Sequence, residues 1–251
     1  NDYGAGLADS FKSYWEGMGH TLCLQAGYDQ AATDFSASVQ AVIDAGCDSA
    51  VLASYSADGA MIIETMAGMG ATIPTFGADG IAGESALQDY TNTAAANGVQ
   101  VTYPSAASGA GVFSAVCDAD TVCASGIYTL EAYDAVMMIG HAAIMDDGAD
   151  MHMHIPMVGK DYAGESGTLD FLDNGDVSGS GYDVCTFNHV PTYGDYYNCD
   201  MRWTVADGLT AATFMGATVK IGFLNDATGP IAVYAMGFVA ASQIALGIAN
   251  T

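Results

Sequence analysis

One acid in a glycine-rich loop, Asp79, is the side chain of this sequence best placed to bind a ligand. Residues 72–76 predict a short strand, and the loop 77–83 that follows carries three glycines around Asp79. In open α/β sheets ligands bind beyond the carboxyl ends of the strands, so this carboxylate can meet a cationic group of a small molecule. We expect Tyr55 and Tyr3 to be its aromatic neighbours. The alternative is that Asp79 only closes a turn, because Asp-Gly is a common turn pair.

Two histidines at alternate positions, His152 and His154, suggest a second chemistry. Alternate residues share one face of a strand, so the pair, with methionines around it, could bind copper or zinc. No thiolate ligand stands close by in the sequence, which favours a structural role for the segment and no metal site. A metal-binding carrier that uses His152 and His154 remains the alternative function.

Motifs of catalysis and of nucleotide binding do not occur in this sequence. There is no GxxxxGK[ST] loop, and GESG at 164–167 is not the GxSxG elbow of a hydrolase. No nucleophile is paired with a base. We therefore expect a protein that is not an enzyme and uses no cofactor, with an α/β enzyme built on Asp79 as the alternative.

The charge balance narrows the choice of partners. The 251 residues include 29 Asp and Glu but only 4 Lys and Arg, which gives a formal net charge of −25. Such a chain repels nucleic acid and anionic membranes, and it attracts cations or zwitterions that present an ammonium group. Hydrophobic residues make up 51% of the chain, so we expect an ordered core.

The six cysteines indicate disulfides and an oxidising compartment. Their number is even and no CxxC pair is present, which removes the motif of zinc ribbons and thioredoxin-like proteins. The spacing favours Cys117–Cys123 and Cys185–Cys199, with Cys23–Cys47 as the third pair. Other pairings remain open at this point.

Strand and helix patterns alternate along the first hundred residues, which predicts a doubly wound α/β lobe. A helix capped by Thr33 and Asp34 should end at Gly46, and a hairpin is expected at Asn174-Gly175. The remaining predicted elements are helices over 1–19, 57–69 and 127–145, and strands over 20–27, 49–55, 72–76 and 99–104.

An apolar stretch between Pro230 and Asn250 approaches the length of a membrane span. It contains Ser242 and Gln243 and has no flanking basic residues, which argues against a span. We expect a helix buried against a sheet, and hence a protein that does not span the membrane.

Five blocks of this sequence together resemble the branched-chain amino-acid-binding proteins, the periplasmic solute receptors of ABC transporters with the type I periplasmic-binding fold. The resemblance covers most of the chain but does not fix the ligand. The blocks are NDYGAGLADSF (1–11), GYDQAATDFSA (27–37), FGADG (76–80), GTLDFLDNGDVSGSGYDV (167–184) and VKIGFLNDATGP (219–230).

The resemblance implies two Rossmann-like lobes that close on an amino acid, with one lobe incomplete in this sequence. Residues 1–104 and 167–200 would form the C-terminal-type lobe, whereas 105–166 and 219–251 would belong to the N-terminal-type lobe. The segment 219–251 resembles the family's amino terminus yet stands last here, and 201–218 would be a tail or connection.

The resemblance also implies ligand-binding roles for four residues. Asp79 would pair with the ligand ammonium, and Tyr55, Tyr3 and Tyr234 would supply aromatic walls. The implied function is a periplasmic or extracytoplasmic receptor that captures an amino acid, branched-chain or of a related apolar type, and delivers it to an ABC transporter permease.

Overall fold

The structure is a computed structural model that describes residues 2–105, 111–145, 147–178, 181–192, 194–204 and 206–211. The chain separates into two compact units, Asn1–Thr213 and Phe214–Thr251, and every described residue belongs to the first. The predicted apolar helix within 219–251 and the candidate residue Tyr234 lie outside the described residues.

The helices are α1 (Asp2–Gly17), α2 (Ser36–Ala45), α3 (Ser56–Gly68), α4 (Val112–Asp118), α5 (Thr121–Ser125), α6 (Thr129–Ala143) and α7 (Met151–Val158). The strands are β1 (Ala50–Leu52), β2 (Thr75–Gly77), β3 (Gln100–Pro104), β4 (Tyr162–Ala163), β5 (Thr168–Leu169), β6 (Tyr182–Val190), β7 (Gly194–Thr204) and β8 (Gly208–Ala211). A β-α-β succession forms at β1, α3 and β2, as the sequence predicts, whereas α1 and α2 follow each other without a strand between them.

The main sheet of the described part is mixed, in the order β1-β2-β3-β6-β7-β8. Strands β1, β2 and β3 are parallel, with Leu52 opposite Gly77 and Gly77 opposite Val101, whereas β6, β7 and β8 add on antiparallel. The parallel half therefore brings the carboxyl ends of β1 and β2 to one edge. The expected α/β fold is confirmed, and the antiparallel half makes the sheet mixed.

Helix α3 carries apolar side chains into two separate core clusters. Ile62 and Met66 pack with Phe35 and Val39 of the α2 region. The neighbouring Ile63 packs in a different cluster around the sheet, which contains Ile81, Ala82, Ala86, Ala96, Val99, Val101, Cys185 and Phe187. The helix that follows β1 is thus fixed by two clusters, which makes the β1–α3 turn a rigid support for side chains.

The three expected disulfides are all present. They join Cys23 to Cys47, Cys117 to Cys123 and Cys185 to Cys199, the last between paired residues of β6 and β7. Gly46 ends α2 in the left-handed conformation with φ 66°, as its position predicts. A Phe171–Val177 bridge closes the turn at Asn174-Gly175, where Gly175 has φ 90°.

The strand expected over 20–27 does not form, and that prediction is wrong. Within the described residues β1 pairs only with β2, so the segment has no ladder partner and runs as irregular chain. The disulfide from Cys23 to Cys47 ties it to the end of α2. A strand needs ladder partners, and none of the described strands supplies them to this segment.

Candidate functional site

Asp79 lies directly beyond the carboxyl end of β2, where the sequence places it. Strand β2 ends at Gly77, and a single 3-10 turn, Asp79–Ile81, follows. The Ala78 N–H donates to the carbonyl of Leu52 at 3.0 Å, which fixes the loop against the end of β1. Asp79 is half-buried at this edge of the sheet.

Two tyrosine hydroxyls hold the Asp79 carboxylate, one on each oxygen. Tyr3, in the first turn of α1, donates to Oδ1 at 2.9 Å, and Tyr128 donates to Oδ2. The Gly80 N–H in turn donates to the Tyr3 hydroxyl oxygen at 3.2 Å. Both tyrosines come from parts of the chain that are distant from Asp79 in the sequence.

Tyr55 completes the aromatic surroundings of this acid. It is the cap residue that precedes α3, with extended backbone, and its ring stacks on that of Tyr3 at a centroid distance of 5.1 Å and an interplanar angle of 21°. The ring of Tyr55 is 44% exposed. Because Tyr3 contacts both Asp79 and Tyr55, the three residues expected from the sequence form one connected group.

The glycine after Asp79 is required by the packing of two turns. A Cβ at Gly80 would clash with the carbonyl oxygen of Ser54 and would lie 2.9 Å from the Tyr3 hydroxyl. The loop after β2 therefore lies against the β1–α3 turn with no space for a side chain. The Asp-Gly pair thus reflects this close approach and not only the closing of a turn.

Burial and the nearby carboxylate keep the tyrosines of the site protonated. Burial, and then the hydrogen bond to Asp79, raises the pKa of Tyr3 to about 12. The same two causes raise the pKa of Tyr128. Both phenols are therefore neutral hydrogen-bond donors at ordinary pH.

No cation of the described part of the chain forms a salt bridge with Asp79. The salt bridges there are His189–Asp195 at 2.7 Å and Arg202–Asp183 at 2.7 Å, and neither involves Asp79. Within the described residues the Asp79 carboxylate is therefore half-buried, hydrogen-bonded by tyrosines and outside any salt bridge.

Tyr128 is a residue that the sequence reasoning missed. It precedes α6 in the left-handed conformation, with φ 63°, which is uncommon for a residue other than glycine. The long separation from Asp79 gives no local pattern that would reveal the contact. A bulky residue at the start of a predicted helix, in a segment otherwise rich in small residues, is the one signal that points to it.

The pair His152 and His154 is not arranged for metal binding. Both lie in α7, whereas the metal hypothesis needed a strand, and residues two apart on a helix point to different sides. Among the described residues no group of three histidine, cysteine, aspartate or glutamate side chains could hold a metal ion.

Comparison with solved structures finds many with this fold. A leucine-binding protein LivK of Thermotoga maritima is 19% identical, with a TM-score of 0.67, and the match covers 82% of this chain and 59% of that chain. A branched-chain amino acid transporter substrate-binding protein LivJ of Streptococcus pneumoniae, in complex with isoleucine, is 22% identical over 75% of this chain and 54% of that chain, with a TM-score of 0.60.

A solute-binding protein of an ABC transporter of R. palustris, in complex with 4-hydroxybenzoate, is 15% identical, with a TM-score of 0.61, over 78% of this chain and 58% of that chain. No family model and no curated protein matches. The likeness is a distant one to type I periplasmic-binding proteins, mostly those for branched-chain amino acids, and at these identities it shows the fold. The chain spans less than 60% of the length of these three proteins.

None of the described helices combines the length and the hydropathy needed to cross a bilayer.

Proposed function

We propose that this chain is part of an extracytoplasmic solute-binding receptor that captures an amino acid and delivers it to an ABC transporter permease. The observation that carries the proposal is the Asp79 carboxylate, at the carboxyl end of a parallel strand, held by two tyrosines and lacking a cationic partner in the described chain. An ammonium group is the complement of such a site. The disulfides suit an oxidising, extracytoplasmic compartment.

The charge of the site favours an amino acid over an aromatic acid. Structures of this fold hold isoleucine in one case and 4-hydroxybenzoate in another. An aromatic acid would bring a second negative charge toward Asp79, which costs binding free energy in a half-buried site. A branched-chain or related apolar amino acid offers an ammonium for Asp79 and an apolar side chain for Tyr3 and Tyr55.

Capture in this proposal is a closure of two lobes on the ligand. Residues 1–104 and 167–200 would form the lobe that carries Asp79, Tyr3 and Tyr55, and the other lobe would include 105–166 and 219–251 with Tyr234. The contact from Tyr128 to Asp79 joins segments assigned to different lobes. Ligand binding then replaces solvent in the cleft between them.

The test is calorimetric binding of L-leucine, L-isoleucine and 4-hydroxybenzoate to the wild type and to Asp79→Asn. We expect isoleucine or leucine to bind the wild type and the substitution to weaken that binding at least a hundredfold, because the charge-assisted bond is lost in a half-buried site. The free energy of unfolding of the ligand-free variant should stay within about 1 kcal/mol of that of the wild type.

The matched control is Asp89→Asn, which removes the same charge from an exposed position of the same region. It should leave the affinity unchanged. Equal affinities of Asp79→Asn and wild type for the amino acids would refute the site, and tight binding of 4-hydroxybenzoate alone would refute the proposed ligand class.

A further inference from the structure

A second buried polar group lies behind the candidate site. Ser54, 2% exposed, follows β1, and Asp58, 5% exposed, lies in the first turn of α3. The hydroxyl of Tyr28 bonds Asp58 Oδ2 and lies 2.6 Å from Ser54 Oγ. A phenol has one O–H, and Tyr28 donates it to the Asp58 carboxylate. The Ser54 hydroxyl is therefore the donor in its bond to the Tyr28 oxygen.

This buried group touches both turns that carry the candidate site. Ser54 immediately precedes Tyr55, whose carbonyl accepts the Gly59 N–H at 2.8 Å in the first turn of α3. The carbonyl of Ser54 fills the space over Gly80, beside Asp79. Any shift of Ser54 would therefore move the ring of Tyr55 and the loop of Asp79 together.

Packing alone does not require the polar atoms of this group. The ring of Tyr28 packs edge-on against Phe35 at a centroid distance of 5.3 Å, and a phenylalanine could make the same contact. Buried polar atoms cost free energy unless they are fully bonded, and when bonded they fix one arrangement. We infer that the Tyr28 hydroxyl fixes the positions of Ser54 and Asp58 through its two hydrogen bonds.

We propose that Tyr28, Ser54 and Asp58 are positioning residues for ligand binding, which hold Tyr55 and the Asp79 loop in their binding arrangement without touching the ligand. The inference rests on the proposed function, since it assigns these residues to the amino-acid site. If the inference is correct, the affinity for the ligand depends on side chains that lie behind the site and do not contact the ligand.

The first measurement is the affinity for L-isoleucine of Tyr28→Phe and Ser54→Ala, well below each melting temperature. We expect the dissociation constant to rise about tenfold in both variants, from the loss of a single hydrogen bond that fixes the turn. Ser54→Ala keeps the bond between Tyr28 and Asp58, so it tests the idea even if Tyr28→Phe folds poorly. Tyr90→Phe, which changes a largely buried tyrosine of the core outside the site, should bind like the wild type.

The second measurement does not depend on any ligand. A fluorinated tyrosine at position 55 gives a ¹⁹F resonance that should shift or broaden in Tyr28→Phe and Ser54→Ala and stay in place in Tyr90→Phe. Lowered affinity with a changed resonance supports the inference. Unchanged affinity and resonance in Ser54→Ala would overturn it, whatever its melting temperature.

The two proposals fail in different ways. If wild type binds no amino acid but the resonance changes, the proposed function is refuted and with it the ligand-binding role of the group, while the coupling between Ser54 and Tyr55 stands. If isoleucine binds and only the melting temperature of Ser54→Ala changes, the proposed function stands and the group is structural.

Discussion

Tyrosine–carboxylate pairs recur at the carboxyl edge of the parallel strands. Tyr3 and Tyr128 donate to Asp79, and Tyr28 donates to Asp58. In each pair burial is the largest cause of the raised pKa of the tyrosine, and the hydrogen bond to the carboxylate adds to it. The folded chain therefore favours the protonated phenols, which makes the free energy of unfolding depend on pH in the alkaline range.

The free energy of unfolding should fall as the pH rises through the alkaline range. The pKa of Tyr3 and of Tyr28 is about 12 in the folded chain, against 10.0 as the ordinary value, so the folded chain holds these protons more tightly. This contribution is complete below pH 10 and is lost as the pH approaches 12. Urea denaturation at a series of pH values measures the decline, to which other buried tyrosines such as Tyr90 also contribute.

The decline should be shallower in Tyr28→Phe than in wild type. Tyr14→Phe is the control, because Tyr14 is 78% exposed. A decline of equal slope in Tyr28→Phe and wild type would contradict the role assigned to the buried hydroxyl.

At the scale of elements, a buried acid joins helix α6 to the loop that precedes β5. Asp134 is fully buried and accepts the N–H groups of Glu165 and Ser166, both at 2.8 Å, and the Ser166 hydroxyl at 2.7 Å. A Cβ at Gly164 would clash with the same carboxylate. The loop is thus shaped around the side chain of Asp134.

Asp134→Ala should lower the free energy of unfolding by about 3 kcal/mol, because it removes the acceptor of three hydrogen bonds from the loop, two of them buried. Urea denaturation measures the change. Asp173→Ala, at an exposed turn, removes the same charge and should alter stability by less than about 0.5 kcal/mol. A loss below about 1 kcal/mol in Asp134→Ala would show that the loop does not depend on this acid.

Local elements were predictable from the sequence, whereas contacts between distant elements were predictable only in part, such as that of Tyr3 with Asp79. The apolar spacing around Val39 and the stop at Gly46 predicted α2, and the apolar run at 49–55 predicted the strand that became β1. The position of Asp79 beyond β2 follows from the same local pattern. The hydroxyl of Tyr128 and the group of Tyr28, Ser54 and Asp58 reach their partners only through folding, so spacing along the chain does not reveal them.

Over the whole molecule, the net charge of −25 opposes folding through self-repulsion. With only 4 basic residues against 29 acids, most carboxylates have no cation to pair with, and compaction brings them closer together. The Debye length is about 30 Å at 0.01 M salt and about 10 Å at 0.1 M, so added salt screens the repulsion between distant carboxylates. Stability should therefore depend on ionic strength in the opposite sense to that of a protein held by surface ion pairs.

The melting temperature of the ligand-free protein should rise by several degrees between about 0.01 M and about 0.5 M NaCl. For a chain of this size 1 kcal/mol corresponds to about 2–4 °C, so the rise reports a gain of one to a few kcal/mol. Potassium chloride at equal ionic strength is the control, because screening of exposed carboxylates does not depend on which monovalent cation is present. Equal rises in both salts support general screening. A rise in NaCl alone would assign the effect to bound sodium, and a melting temperature that falls with salt would show that attractive ion pairs outweigh the repulsion.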